Sequence, residues 1–165
     1  MSTAKAKGGK GTPATVAAAK AGIEYTLHTY EVDADAASYG EAAADALGLP
    51  HDQIFKTLLA EVDGNLTVGV VPVSASLDLK ALAAAADGKK ARMADPRDAE
   101  RATGYVVGGI SPLGQRRRLP TVVDASVSAL GTVYVSAGRR GLQIELVPAD
   151  LVRLTGARVA AIARG

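Results

Sequence analysis

The chain has 165 residues, enough for about one domain of typical size. Its 48% apolar content excludes a disordered or fibrous class, and with 4% aromatics and no Trp the core must be built from Val, Leu, Ile and Ala. Nineteen Lys and Arg against 17 Asp and Glu give a net charge of +2, too small to mark a nucleic-acid binder by bulk charge, and the absence of Cys excludes disulfides, thiolate zinc sites and a Cys nucleophile.

Residues 1–12 are small, basic and Gly-rich, and read as a disordered tail. Gly8 to Thr12 lack the spacing of a phosphate loop, and no apolar signal core follows the tail, so a cytoplasmic protein without membrane attachment is expected. One domain is expected over 13–165. Thr12-Pro13 opens a helix that stops at Gly22. Tyr25 to Tyr30 alternate as a strand does. Ser38 and Glu41 have capping-box spacing for a helix ending near Gly48. Ile54 to Val62 and Leu66 to Val73 read as a hairpin joined by Asp63-Gly64. An Ala-rich helix follows over Asp78 to Asp87, then a short strand over Lys90 to Met93. Asp95-Pro96 opens a helix closed by Gly104.

Gly108 to Pro120, GGISPLGQRRRLP, has three Gly, two Pro and three consecutive Arg and neither helical nor strand period. A loop this long in a compact domain points to function. Strands are expected near Thr121 to Asp124, Thr132 to Ser136 and Leu142 to Val147, then a helix from Pro148 and a last strand over Arg158 to Ala161. The pattern predicts an α/β (α+β) domain, a mixed, barrel-like sheet with helices around it.

Lys56 lies in the apolar strand segment IFKTLL, sharing a face with Ile54 and Leu58. Two readings stay open: a cation in a dry pocket aimed at phosphate or carbonyl oxygen, or a lysine whose head reaches water. Gly108-Gly109 allows close backbone approach and an N–H nest for an anion or oxyanion, or marks a plain tight turn. Arg116, Arg117 and Arg118, then Arg139 and Arg140, then Lys89, Lys90 and Arg92 form basic runs, suited to a phosphate backbone or to solvent. His28 and Tyr30 alternate on an early strand. No G-x-S-x-G elbow, Ser-His-Asp arrangement or metal-ligand cluster is present in the sequence, so an enzyme here positions a substrate that is itself reactive.

The stretches HTYE (28–31), FKTLL (55–59), LDLK (77–80), MADP (93–96), TGYVVGGISPLGQRRRLPT (103–121) and YVSAGRRGLQIEL (134–146) resemble the YbaK family, relatives of the editing insertion domain of bacterial prolyl-tRNA synthetases. The resemblance runs from Pro13 to Arg164. It implies that family's fold and a trans-editing deacylase that clears Cys-tRNA(Pro), and Cys-tRNA(Cys), without metal or cofactor. The sibling alternatives are an Ala-tRNA(Pro) deacylase and a non-catalytic binder of tRNA ends or adenine nucleotides. It places Lys56, Tyr30, Gly108, Gly109 and Ser136 in the catalytic set. Ile110, Ser111, Pro112, Gln143 and His28 fall around the substrate, and the Arg runs 116–118 and 139–140 on the tRNA. Its partners would be the CCA end of tRNA(Pro) and prolyl-tRNA synthetase. It also implies an ester-cleaving enzyme, a hydrolase or, if the substrate's own thiol attacks the ester and releases a thiolactone, a lyase. Two departures stand out. Gln143 occupies a position where relatives carry Asp, and Ala137-Gly138 replaces Gly-Gly, adding a methyl expected to narrow the pocket.

Overall fold

The computed structural model describes residues 11–32 and 38–165. The expected tail lies outside the described residues except for Gly11 and Thr12, and Thr12 caps the first helix through its side chain. The elements run α1 (Pro13–Ala21), β1 (Thr26–Thr29), α2 (Tyr39–Leu47), β2 (Phe55–Val62), β3 (Asn65–Pro72), β4 (Ser76–Leu77), α3 (Leu79–Ala85), β5 (Ala91–Met93) and α4 (Pro96–Thr103). After the long loop come β6 (Thr121–Asp124), a 3-10 turn (Ala125–Ala129), β7 (Val133–Arg139), β8 (Leu142–Leu146), α5 (Pro148–Thr155), β9 (Arg158–Ala160) and β10 (Ala163–Arg164). No helix among the described residues is long and apolar enough to cross a membrane.

Local chemistry sets most boundaries. Ser38, Asp78 and Asp95 accept N–H bonds as N-caps of α2, α3 and α4. Asp63 and Gly64 both take positive φ, the conformation of a two-residue hairpin turn, and put Val62 opposite Asn65.

The strands form a five-stranded mixed sheet, β5-β2-β3-β6-β9, a three-stranded antiparallel sheet, β1-β8-β7, and a small pair, β10-β4. The expected barrel-like wrap is realised as an open arrangement. The two larger sheets meet where Ile54 bridges Tyr134 in parallel, and they do not close. The main core lies between them, with Phe55, Val68, Val70, Val135 and Ile144 buried against α1 and α4. A second core holds Leu82 and Ala83 of α3 on the other face of the large sheet, and a third places Ala43 and Ala44 of α2 over Ile54, Val73 and Tyr134.

Asp124 ties the C-terminus to this frame. Its buried carboxylate accepts the Ser126 N–H and hydroxyl and the N–H groups of Ile162 and Ala163 at 2.6–3.1 Å. Burial alone would raise its pKa, and these donors outweigh burial and hold it below the usual carboxylate range. Asp124→Ala is expected to cost about 2–3 kcal/mol in urea unfolding at neutral pH. Because the folded pKa is depressed, that stability is full above about pH 4 and is lost as pH falls through the folded value. The gap between wild type and variant should therefore shrink on acidification.

Candidate active site

A cavity of about 320 Å³ opens where β2 and β7 part. The start of α2 (Ser38, Tyr39, Gly40), β2 from Ile54 to Leu59, Met93 and Ala94 after β5, the start of α4, the loop residues Val107, Gly108 and Ile110, and Ser136 and Gln143 line it. Five of the expected site residues thus converge from distant parts of the chain: Lys56, Gly108, Ile110, Ser136 and Gln143.

Lys56 is half-buried, and among the described residues it forms no ion pair. Among the described residues no Asp or Glu lines the cavity. Its ammonium is therefore an uncompensated positive charge beside apolar walls, and the ligand that suits it carries an anion or a polarised carbonyl oxygen. A methyl on Gly40 would lie 2.6 Å from Val73 Cγ1, so only glycine lets α2 come this close to the lysine strand.

The two loop glycines do different things. Gly108 lines the cavity at φ 91°, and a Cβ there would lie 2.7 Å from Arg140 Nε and 2.8 Å from Tyr39 Cδ2. Its N–H has no acceptor among the described residues and stands free for a ligand. Gly109 sits behind it, and a Cβ would strike the backbone of Arg139 and Arg140 at 2.8 Å. Its N–H is committed to the Val106 carbonyl at 2.9 Å, so it supports the loop instead of adding a second oxyanion donor. The loop is held rather than loose. The Tyr105 hydroxyl donates to the Leu113 carbonyl, and the Arg140 guanidinium donates to the Val107 carbonyl at 2.6 and 3.0 Å while covering the Tyr39 ring at 4.5 Å.

Ser136 lies at a β-bulge whose Gly138 N–H donates to Ser136 Oγ at 3.2 Å. The Thr12 hydroxyl pins the same bulge by donating to the Ala137 carbonyl. The Ala137 methyl is fully buried in the main core and does not line the cavity, so the expected narrowing does not arise there. Gln143 pairs with Ser136 in register and does face the site. Its Nε2 reaches the Tyr30 hydroxyl at 3.5 Å, while its Oε1 is buried without a partner. Thr57 Oγ1, in the same lining, is a second buried oxygen without one. Sequence reasoning overlooked Thr57 and Tyr39, because nothing local distinguishes them from ordinary strand and helix residues.

The remaining expected residues lie around the cavity or away from it. Tyr30 stands behind Gln143. His28 shares that sheet face but bonds Glu145 Oε1 at 2.9 Å, with Thr132 donating to Oε2 at 2.7 Å. Burial would raise the Glu145 carboxyl, and its bonds from Thr132, His28 and Tyr134 prevail and lower it. Burial, with that carboxylate alongside, pushes the Tyr134 hydroxyl up to about 12. The cluster braces the strand pair that presents Ser136 and Gln143. Ser111 and Pro112 are buried inside the loop, where Ser111 Oγ accepts the Leu113 N–H at 3.1 Å. The basic runs separate. Arg139 and Arg140 lie beside Gly108 and Gly109, whereas Arg117 and Arg118 line a groove by the β2–β3 turn. That turn is six strand residues, roughly 20 Å, from Lys56.

The model of the aminoacyl-tRNA editing domain family matches residues 33–154 of this chain. EbsC of Enterococcus faecalis, named as a candidate Cys-tRNA(Pro)/Cys-tRNA(Cys) deacylase, is 42% identical over 125 residues, covering 74% of this chain and 75% of that protein. YwhH of Bacillus subtilis is 30% identical over 120 residues, 72% of this chain and 76% of that one. A crystal structure described as a candidate trans-editing enzyme for prolyl tRNA synthetase superposes with a TM-score of 0.81 at 25% identity, covering 93% of this chain and 96% of that chain.

Proposed function

The chain belongs to the aminoacyl-tRNA editing domain family, and on that premise we propose that it is a trans-editing deacylase that clears cysteine mischarged onto tRNA(Pro), with Cys-tRNA(Cys) as a second substrate. One observation carries the reading. Among the described residues the cavity offers a cation without a counter-ion at Lys56 and an unbonded N–H at Gly108, yet no carboxylate to act as base and no activated nucleophile. Such a site orients and polarises, and the attacking group belongs to the substrate.

The cysteine side chain fits that requirement. Its thiolate attacks the carbonyl carbon of its own ester, and a cyclic thiolactone forms. The bond from the carbonyl to the tRNA ribose oxygen breaks, and that oxygen takes up the proton lost by the thiol. Holding the thiolate against the carbonyl supplies up to roughly 7–11 kcal/mol of the barrier. The Gly108 N–H stabilises the oxyanion, and Lys56 binds the phosphate or ribose oxygens of the CCA end. Arg139, beside Gly109, adds phosphate attraction, and Ser136 and Gln143 shape the amino-acid pocket. Tyr30 positions Gln143. Prolyl-tRNA synthetase is the partner that generates the substrate and delivers it.

The test is deacylation of Cys-, Ala- and Pro-charged tRNA(Pro) by the purified chain. Loss of cysteine alone supports this reading. Loss of alanine in place of cysteine favours the sibling activity, and tRNA binding without any loss favours a binding protein.

A further inference from the structure

The cavity lies against a stretch of strand edge that no other strand covers among the described residues. The Val73 N–H donates to the Ile54 carbonyl at 2.9 Å on the β3 side of β2, and the Ala94 N–H donates to the Leu59 carbonyl at 3.0 Å on the opposite side. Main-chain groups of successive residues in an antiparallel ladder alternate between the two sides. Ile54, Lys56 and Leu58 therefore address β3, and Phe55, Thr57 and Leu59 address the other edge. On that edge β5 pairs only with Ala60 to Val62. β7 reaches it only at its start, through the Ile54–Tyr134 bridge and the Tyr134 N–H bond to the Gln53 carbonyl at 3.1 Å. Between these two contacts no pairing among the described residues covers the Phe55 carbonyl and the Thr57 N–H, and both residues line the cavity. Buried main-chain groups are nearly always bonded, so an open pair beside apolar walls marks a place for a ligand. The buried, partnerless oxygens of Thr57 and Gln143 in the same lining point the same way.

We propose that this open edge of β2 seats the 3′-terminal adenine of the substrate, its exocyclic amino group donating to the Phe55 carbonyl and its N1 accepting from the Thr57 N–H. The assignment rests on the reading of the cavity as the site for an aminoacylated tRNA end. A carbonyl and an N–H two residues apart on one strand edge stand side by side, acceptor next to donor. Adenine presents the complement, a donor next to an acceptor. Guanine and hypoxanthine present the reverse order and meet the edge with like groups opposed. Cytosine carries the adenine-like pair, but the ribose that holds the ester belongs to the terminal adenosine. Ala99, Ile110 and Met93 give the base faces apolar cover. Lys56, adjacent on the same strand, is placed for the 5′ phosphate of that nucleotide. Recognition through the main chain reads a nucleotide common to all tRNAs and supplies no selectivity among them.

The test titrates the full chain with AMP, 7-deaza-AMP, purine riboside monophosphate and IMP, followed by amide NMR. AMP and 7-deaza-AMP should bind within about twofold of each other and shift the Thr57 amide, and the other two should bind at least about tenfold more weakly, the loss of a bidentate base contact. Four equal affinities, or no binding by any, overturn the proposal. So does displacement of AMP from the Thr57 amide by cysteine methyl ester at equal concentration, which assigns the edge to the aminoacyl group. A second arm separates the two readings. Cys-tRNA(Pro) ending in purine riboside should lose at least about tenfold in kcat/KM against the natural end. Equal cleavage of both overturns the adenine seat and leaves the deacylase intact. Cleavage of neither, with the nucleotide ranking as expected, removes the deacylase reading and leaves the seat.

Discussion

Lys56→Ala is expected to lower deacylation of Cys-tRNA(Pro) by roughly 100- to 1,000-fold, the cost of removing one preorganised electrostatic contact from an active site. Among the described residues the lysine is the one charged side chain in the lining, and no acid there compensates it. It contributes no ion pair to the fold among the described residues, so unfolding free energy should stay within about 1 kcal/mol of wild type. Lys56→Arg should recover little, because a planar fork replaces a compact charge inside walls set by Gly40 and Val73. Undiminished activity in the alanine variant would move the chemistry to another part of the molecule.

The second large effect concerns the leaving amino acid. If the substrate thiol attacks, Ser-tRNA should be cleaved far more slowly than Cys-tRNA although the two side chains are close in shape. Binding alone separates such near-isosteres by about 100-fold at most. Chemistry adds to this, since a thiol of pKa about 8.5 is partly ionised near neutrality and a hydroxyl is not. The rate on Cys-tRNA should rise with pH toward that value and level off above it. Ala and Pro carry no nucleophile and should stay on their tRNA. Thiolactone, trapped before it opens, is the expected first product. Free cysteine formed at once with solvent oxygen in its carboxylate would show direct attack by water, and Tyr30 and Ser136 would then be the groups to test.

Much of this fold is legible in the chain because local chemistry sets it. Thr12, Ser38, Asp78 and Asp95 are caps whose side chains bond the next turn, and Gly22, Gly48 and Gly104 stop helices in the left-handed conformation. Asp63-Gly64 encodes its own turn. Two-residue strands such as β4 and β10 exist only by pairing with each other, and no local pattern announces them. The site divides the same way. Lys56 stands out as a charge among apolar neighbours, and the glycine pair as a break in periodicity. The open edge beside Thr57 arises because β5 ends early and β7 diverges after one bridge, which depends on segments about 35 to 80 residues away. The arginine runs look alike in sequence, yet Arg140 clamps the cavity loop while Arg117 and Arg118 sit by the far turn. Ala137 invites a pocket role by its position after Ser136, and the bulge there turns its methyl into the core.

The most direct measurement is the initial rate of Cys-tRNA(Pro) deacylation at catalytic amounts of the purified chain, beside Pro-tRNA(Pro) and the Lys56→Ala variant. Rapid loss of cysteine by the wild type alone, with proline retained, is the expected result. A wild-type rate on Cys-tRNA(Pro) no faster than that of the variant or of buffer would contradict the account.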